Sequence, residues 1–338
     1  MKKKVLILLL ALCCAASAVF AGGKKAATST AQPPSEGRVS VYTNITGTDP
    51  MLDDLRAKTG IAGEFVPISA VQFLASVFSD FNAGTFHADI IQAPIPVMER
   101  LKGNGVLAPY TSPSARSFPD WAKRENDGIY IFGIEYVAIL YNREYVGPDD
   151  VPKRYQDLAD PKWRDMIVMP DPSIHPATIS WLVGLREHVF GNNEQRWRAF
   201  LQGLSANSPL FVSYFEETPE VIQSGERPLG ISTPKYIVTN APAPLDWARI
   251  EPVMGSPRAM GISAKAPHPV AARRFVDYWL TAQAGKVLAD QVGEYVLVPG
   301  VFPPIDGMDK ARVIPVEELP DEEIARWGSE FQLIFNIN

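Results

Sequence analysis

From Arg38 to Pro94, short β-branched runs alternate with helical stretches, and this alternation constrains the fold more than any other feature of the chain. RVSVYTN reads as a first strand and DPMLDDLRAKTG as a capped amphipathic helix closed by Gly60. GEFVPIS is a second strand, SAVQFLASVFSDFNAG a second helix and HADIIQAP a third strand. Repeated βαβ units of this kind predict an α/β sheet flanked by helices.

Beyond PVMERLKGNGVLAPY the pattern changes. GIYIFGIEYVAILYN, residues 128–142, is apolar and aromatic and too long for one ordinary strand, so it predicts either a strand pair or one extended segment running between domains. A Pro-punctuated loop then leads to the short strand MIVMP. Helices follow at ISWLVGLREHVFG, NEQRWRAFLQGLSA and PEVIQSGE, and a further strand at LGIS. PHPVAARRFVDYWLTAQAGKVLADQVG reads as two helices broken near Gly285, and DEEIARWGSEFQLIFN as a last amphipathic helix. At 338 residues and 46% hydrophobic content, the length suits two domains with packed cores.

The first residues, MKKKVLILLLALCCAASAVFAGG, place three lysines before an apolar run that closes on small residues. This is the layout of a secretory signal peptide, residues 1–21, with cleavage before Gly22. The run is short for a membrane span, and acylation of Cys13 or Cys14 is the alternative that would anchor the protein to the membrane. Both cysteines lie here, so cleavage leaves no disulfide, no Cys-ligated zinc and no thiol nucleophile. Residues 22–37 are small and polar and read as a flexible leader. Losing Lys2, Lys3 and Lys4 takes the formal charge from −6 to −9, which argues against a nucleic-acid partner.

The chain has no HExxH, GxSxG, Walker A or GxGxxG motif, and His87, His175, His188 and His268 never stand at paired metal spacing. Nothing asks for catalysis or for a cofactor.

Two blocks carry a resemblance. YNREYVGPDDVPKRYQDLADPKWRDMIVMPDP, residues 141–172, and APHPVAARRFVDYWLTAQAGKVLADQ, residues 266–291, resemble periplasmic solute-binding proteins of ABC importers, family-1 extracellular type, ferric-ion-binding-like branch. The resemblance implies a type 2 periplasmic-binding fold whose two α/β lobes are joined by crossing hinge strands and close on a ligand. It implies a monomer in the periplasm that meets the membrane only through a permease or a lipid anchor. The expected lobes are 38–136 with 260–305 and 137–259 with 306–338.

In such sheets ligands sit at the carboxyl ends of strands. The candidate ligand residues are therefore Thr43, Asn44 and Thr46; Gln92 and Ala93; Ser173, His175 and Thr178; and Thr233, Lys235 and Tyr236. Glu135 and Tyr136 join them from the crossing segment. Ser173 to Thr178 has the character of a helix start, a natural anion site.

In ferric-ion binders of this family adjacent tyrosines supply phenolate ligands, many with a histidine and a glutamate from the first lobe. Here Tyr236 takes the second tyrosine's place and Lys235 the first, while the VYTNITG loop offers Thr and Asn. A lysine repels a trivalent cation and pairs with an anion. The departure favours a small anionic solute, such as a phosphorylated, phosphonate or carboxylate compound. Ferric iron held through Tyr236 is the alternative within the class, and a sensory module or a secreted enzyme the alternative outside it.

Overall fold

The computed structural model describes residues 37–45, 47–70, 72–124 and 128–337. The signal peptide, the leader to Ser35–Glu36 and Thr46 lie outside the described residues. The first half begins as expected, with β1 (Arg38–Thr43), α1 (Pro50–Thr59), β2 (Ala62–Pro67), α2 (Phe73–Ala83) and β3 (Ile90–Pro94), and continues into α3 (Ile95–Gly103), β4 (Leu107–Ala108) and β5 (Lys123–Arg124), which the sequence pattern does not announce. β1 is parallel to both β2 and β3, the pairing that crossover helices permit. α1 closes on Gly60 in the left-handed region (φ 71°), but Asp49 at its start makes no side-chain cap bond.

The long apolar segment is one strand, β6 (Ile129–Asn142), 14 residues long and buried throughout except at Glu135. Beyond it come β7 (Ile167–Pro170), α4 (Pro176–His188), α5 (Glu194–Ala206), β8 (Leu210–Val212), α6 (Thr218–Ser224), β9 (Leu229–Ser232), α7 (Lys235–Thr239) and β10 (Leu245–Trp247). β11 (Val253–Ser263) is a second long strand, followed by α8 (Pro269–Trp279), α9 (Ala282–Val287), β12 (Tyr295–Val296), β13 (Val313–Pro315) and α10 (Asp321–Phe335). The break after α8 falls at Leu280 and Thr281, where the Thr281 hydroxyl caps α9, and not at Gly285.

Eight strands follow one path, β2-β1-β3-β11-β6-β9-β7-β8, with β6 and β11 antiparallel at its centre, while β5, β10 and β12 pair with β6 and β4 and β13 with β11 beside it. Two hydrophobic cores hang on it. One gathers residues between Val39 and Phe132 and between Ala259 and Val298. The other gathers residues between Ile134 and Met254 and between Ile305 and Phe335. β6 and β11 each run through both, and the molecule is the two-lobed α/β type, with crossing strands as its hinge. Second-core helices are held by aromatics at helical spacing. Trp327, Phe331 and Phe335 of α10 lie four residues apart, and Trp327 meets Trp197 of α5 at 5.4 Å between ring centroids.

Where the cores part, the crossing backbones touch. A Cβ on Gly255 would come within 2.3 Å of the Glu135 carbonyl oxygen and 2.5 Å of the Tyr136 Cα, so only glycine fits.

Candidate functional site

The gap between the cores is spanned by Gly133 to Glu135 on β6 and Gly255 to Arg258 on β11, and an ionic cluster fills it. The register pairs Ser256 with Glu135 and Arg258 with Gly133, which puts Glu135, Ser256 and Arg258 on one face. Arg258 donates from Nη2 to Glu135 Oε1 at 2.6 Å. Its Nε lies 3.0 Å from Glu294 Oε1, an ion pair that is not aligned as a hydrogen bond. Arg258 and Glu294 are almost fully enclosed, with side chains 7% and 3% exposed. Such charges are tolerable only because they face one another.

Glu294 reaches the cluster from the turn before β12. There Gly293 adopts φ 75° and its carbonyl accepts the Tyr136 hydroxyl at 2.7 Å. A Cβ on Gly293 would lie 2.7 Å from the Lys235 Cα, so this first-lobe turn abuts the start of α7.

Lys235 and Tyr236 are not strand residues. β9 ends at Ser232 and α7 begins at Lys235, so both side chains turn into the protein, 5% and 7% exposed. The opposite-face alternation of a strand does not apply. The Lys235 ammonium sits over the Tyr236 ring, 5.2 Å from its centroid. The Tyr236 hydroxyl and the neighbouring Thr233 hydroxyl are buried side by side, and neither makes a well-aligned hydrogen bond to the protein, although Thr233 lies near enough to ease the phenol's ionisation slightly.

The electrostatics follow from burial and from the mixture of signs. Burial alone would raise Glu135, but Arg258, then Lys235 and His175, hold it below the ordinary carboxylate range. Burial wins at Glu294, which is raised despite Arg258 and Lys235. Lys235 is lowered by burial and by Arg258, against the pull of Glu135, Glu216 and Glu294. Tyr236 is pushed far above the ordinary phenol value by burial, then by Glu216 and Glu135.

The structure brings Glu135, His175, Thr233, Lys235 and Tyr236 into this one cluster. His175 is coupled to Glu135, Glu216 and Asp171, with burial lowering it, and its ring meets Phe215 edge-on at 4.9 Å. The helix start at α4 is already capped. His175 Nδ1 accepts from the Thr178 N–H at 3.2 Å, and Ser173 is tied by its N–H and hydroxyl to Asp171. That end offers less to an anion than the sequence suggests.

The first-lobe candidates form a separate group. Thr43 Oγ1 accepts from the Ile45 N–H at 2.9 Å and lies 3.4 Å from Gln92 Oε1, and Gln92 Nε2 is buried without a partner. Asn44 donates its N–H to the Gln92 carbonyl, and Ala93 is enclosed in the sheet opposite Ala259. Register puts Gln92 and Arg258 on the same sheet face, the only link between the groups that pairing supplies. Tyr136 serves the hinge through its bond to Gly293.

Sequence reasoning missed Arg258, Glu294 and Glu216. Arg258 follows a proline inside an apolar strand, MGSPRAMGIS, and a charge in such a run was the available signal. Glu294 and Glu216 carry none. Among the described residues no group of three or more His, Cys, Asp or Glu is placed to hold a metal ion.

Known proteins share this architecture. Iron uptake protein A2 of Synechocystis is 29% identical over 209 residues, which cover 54% of this chain and 56% of that protein, little more than half its length. The substrate binding protein of an ABC transporter from Agrobacterium tumefaciens superposes with a TM-score of 0.73 at 15% identity, over 88% of this chain and 95% of that one. Iron-bound HitA from Pseudomonas aeruginosa gives 0.67 at 16% identity, over 88% and 98%. The family described as bacterial extracellular solute-binding protein matches residues 87–320. With that match spanning most of a two-lobed chain, the protein belongs to the bacterial extracellular solute-binding family.

Proposed function

We propose that this chain is the exported, periplasmic solute-binding component of an ABC importer and that its cargo is iron(III), with the Tyr236 phenolate as a ligand. One observation carries the reading: a buried phenol hydroxyl with no well-aligned protein hydrogen bond, set next to the Thr233 hydroxyl and beside a cluster in which carboxylates outnumber cations. A buried, unsatisfied hydroxyl costs about 1–3 kcal/mol, a cost that a bound ion removes. Hard Fe(III) takes oxygen donors, and its charge drives off the proton that burial and Glu216 otherwise hold on Tyr236. Relatives named for iron uptake and iron binding support the same cargo, and a relative named as an ABC transporter component supports the importer.

The expectation of an anionic organic solute rests on Lys235 in place of a tyrosine and on the Thr and Asn of the first-lobe loop. The lysine's neighbours change the balance. Lys235 and Arg258 share their surroundings with Glu135, Glu216 and Glu294, so the lysine offsets carboxylates before it reaches any cargo. Cation repulsion is correspondingly weaker than the Tyr-to-Lys departure suggests. The anion reading keeps one support, the ammonium set deep at the start of α7. Binding and hand-over to a permease are proposed, with no chemistry performed on the cargo.

Native mass spectrometry on gently purified protein tests both readings. The iron reading expects an added mass equal to iron, removed by a chelator, with a visible phenolate-to-iron absorption band that Tyr236→Phe abolishes. An added mass equal to an organic phosphate or carboxylate, without iron, would install the anion reading in its place.

A further inference from the structure

The stretch leaving β13 touches both lobes before it becomes α10. The Val316 N–H donates to the Gly255 carbonyl at 2.8 Å, laying the backbone against the crossing strand β11. The Leu319 N–H donates to Ser180 Oγ of α4, in the second lobe, at 3.0 Å. Between these anchors Glu317 turns the other way and accepts from Arg124 Nη2 at 2.9 Å. Arg124 lies on β5, which pairs with the first-core half of β6, and it is held on its own side by Glu99 of α3. Asp321, the first residue of α10, pairs with Arg100 of α3 at 2.6 Å. Two arginines of the first lobe thus grip two carboxylates on a segment anchored in the second.

We propose that residues 316–321 form a strap across the hinge, whose pairs Arg124–Glu317 and Arg100–Asp321 hold the lobes at the separation seen here and bias the opening equilibrium. The pairs are placed for regulation more than for strength. Their side chains are 28–72% exposed, so salt screens them and their joint effect on that equilibrium is about two- to tenfold.

The test uses the cargo-free chain, with Cys13 and Cys14 replaced by serine, and dyes at Lys58→Cys in the first lobe and Glu187→Cys in the second, both exposed positions, so its outcome does not depend on what the protein carries. Energy transfer between them reads the lobe separation. Raising salt from about 20 to about 500 mM should shift wild type away from the separation seen here. Glu317→Lys should show that distribution already at low salt and lose the salt response. Arg100→Gln, a surface change that spares folding, should give half of the effect. Wild-type salt profiles in both Glu317→Lys and Arg100→Gln would overturn the strap.

Discussion

At the scale of single residues, Tyr236 and Lys235 make opposite predictions. On the proposed iron reading, Tyr236→Phe removes a ligand atom and leaves the fold, so iron affinity should fall by more than the 10–100-fold that outer partners are worth, read by competition with a chelator. Loading releases the phenol proton, and because that proton is held above its ordinary range, apparent iron affinity should rise about tenfold per pH unit near neutrality. A flat profile between about pH 6 and 8 would remove Tyr236 from the coordination sphere. Lys235→Met takes a buried cation away from Glu135, Glu216 and Glu294 and should strengthen iron binding while weakening any anionic solute. Chain order marked both positions, because each follows a strand end. It left out Arg258 and Glu294, whose charges meet only after β6 and β11 cross and the turn at Gly293 folds back, so no local pattern announces them.

At the scale of elements, the crossing strands set what can be changed. Arg258→Met leaves Glu135 and Glu294 enclosed without their counter-charge and should cost about 3–5 kcal/mol of stability by chemical denaturation. Adding Glu294→Gln should recover part of that loss, since one of the stranded charges goes with it. Gly255→Ala forces the backbones apart at the contact with Glu135 and Tyr136 and should cost about 1–3 kcal/mol. Periodicity alone located the helices that pack by an apolar stripe, such as α8 with Ala271, Ala272, Phe275, Val276 and Trp279 enclosed. It could not decide whether residues 128–142 form one strand or two. Apolar content shows that a segment is buried without showing that it is buried in two different cores. α7 was hidden for another reason. Five residues are too few to carry a helical period, and Pro234 before them reads equally as a turn.

At the scale of the molecule, both cores are threaded by the same two strands, so neither lobe should melt alone. Calorimetry of the cargo-free chain should give one transition with matching calorimetric and van't Hoff enthalpies, and two resolved peaks would mean that the lobes are independent. Cargo that bridges the lobes adds to this stability by mass action, about 4 kcal/mol at a thousandfold excess over its dissociation constant. Interleaving has a further consequence, for the time before the protein is folded. The first core needs residues up to Val298, and the second reaches from Ile134 to Phe335. While a ribosome makes the first two-thirds of the chain, neither core can be completed, and the growing polypeptide stays an open thread. On the proposed route of export, late closure keeps the chain slender enough to be threaded through a membrane and lets it set only on the far side.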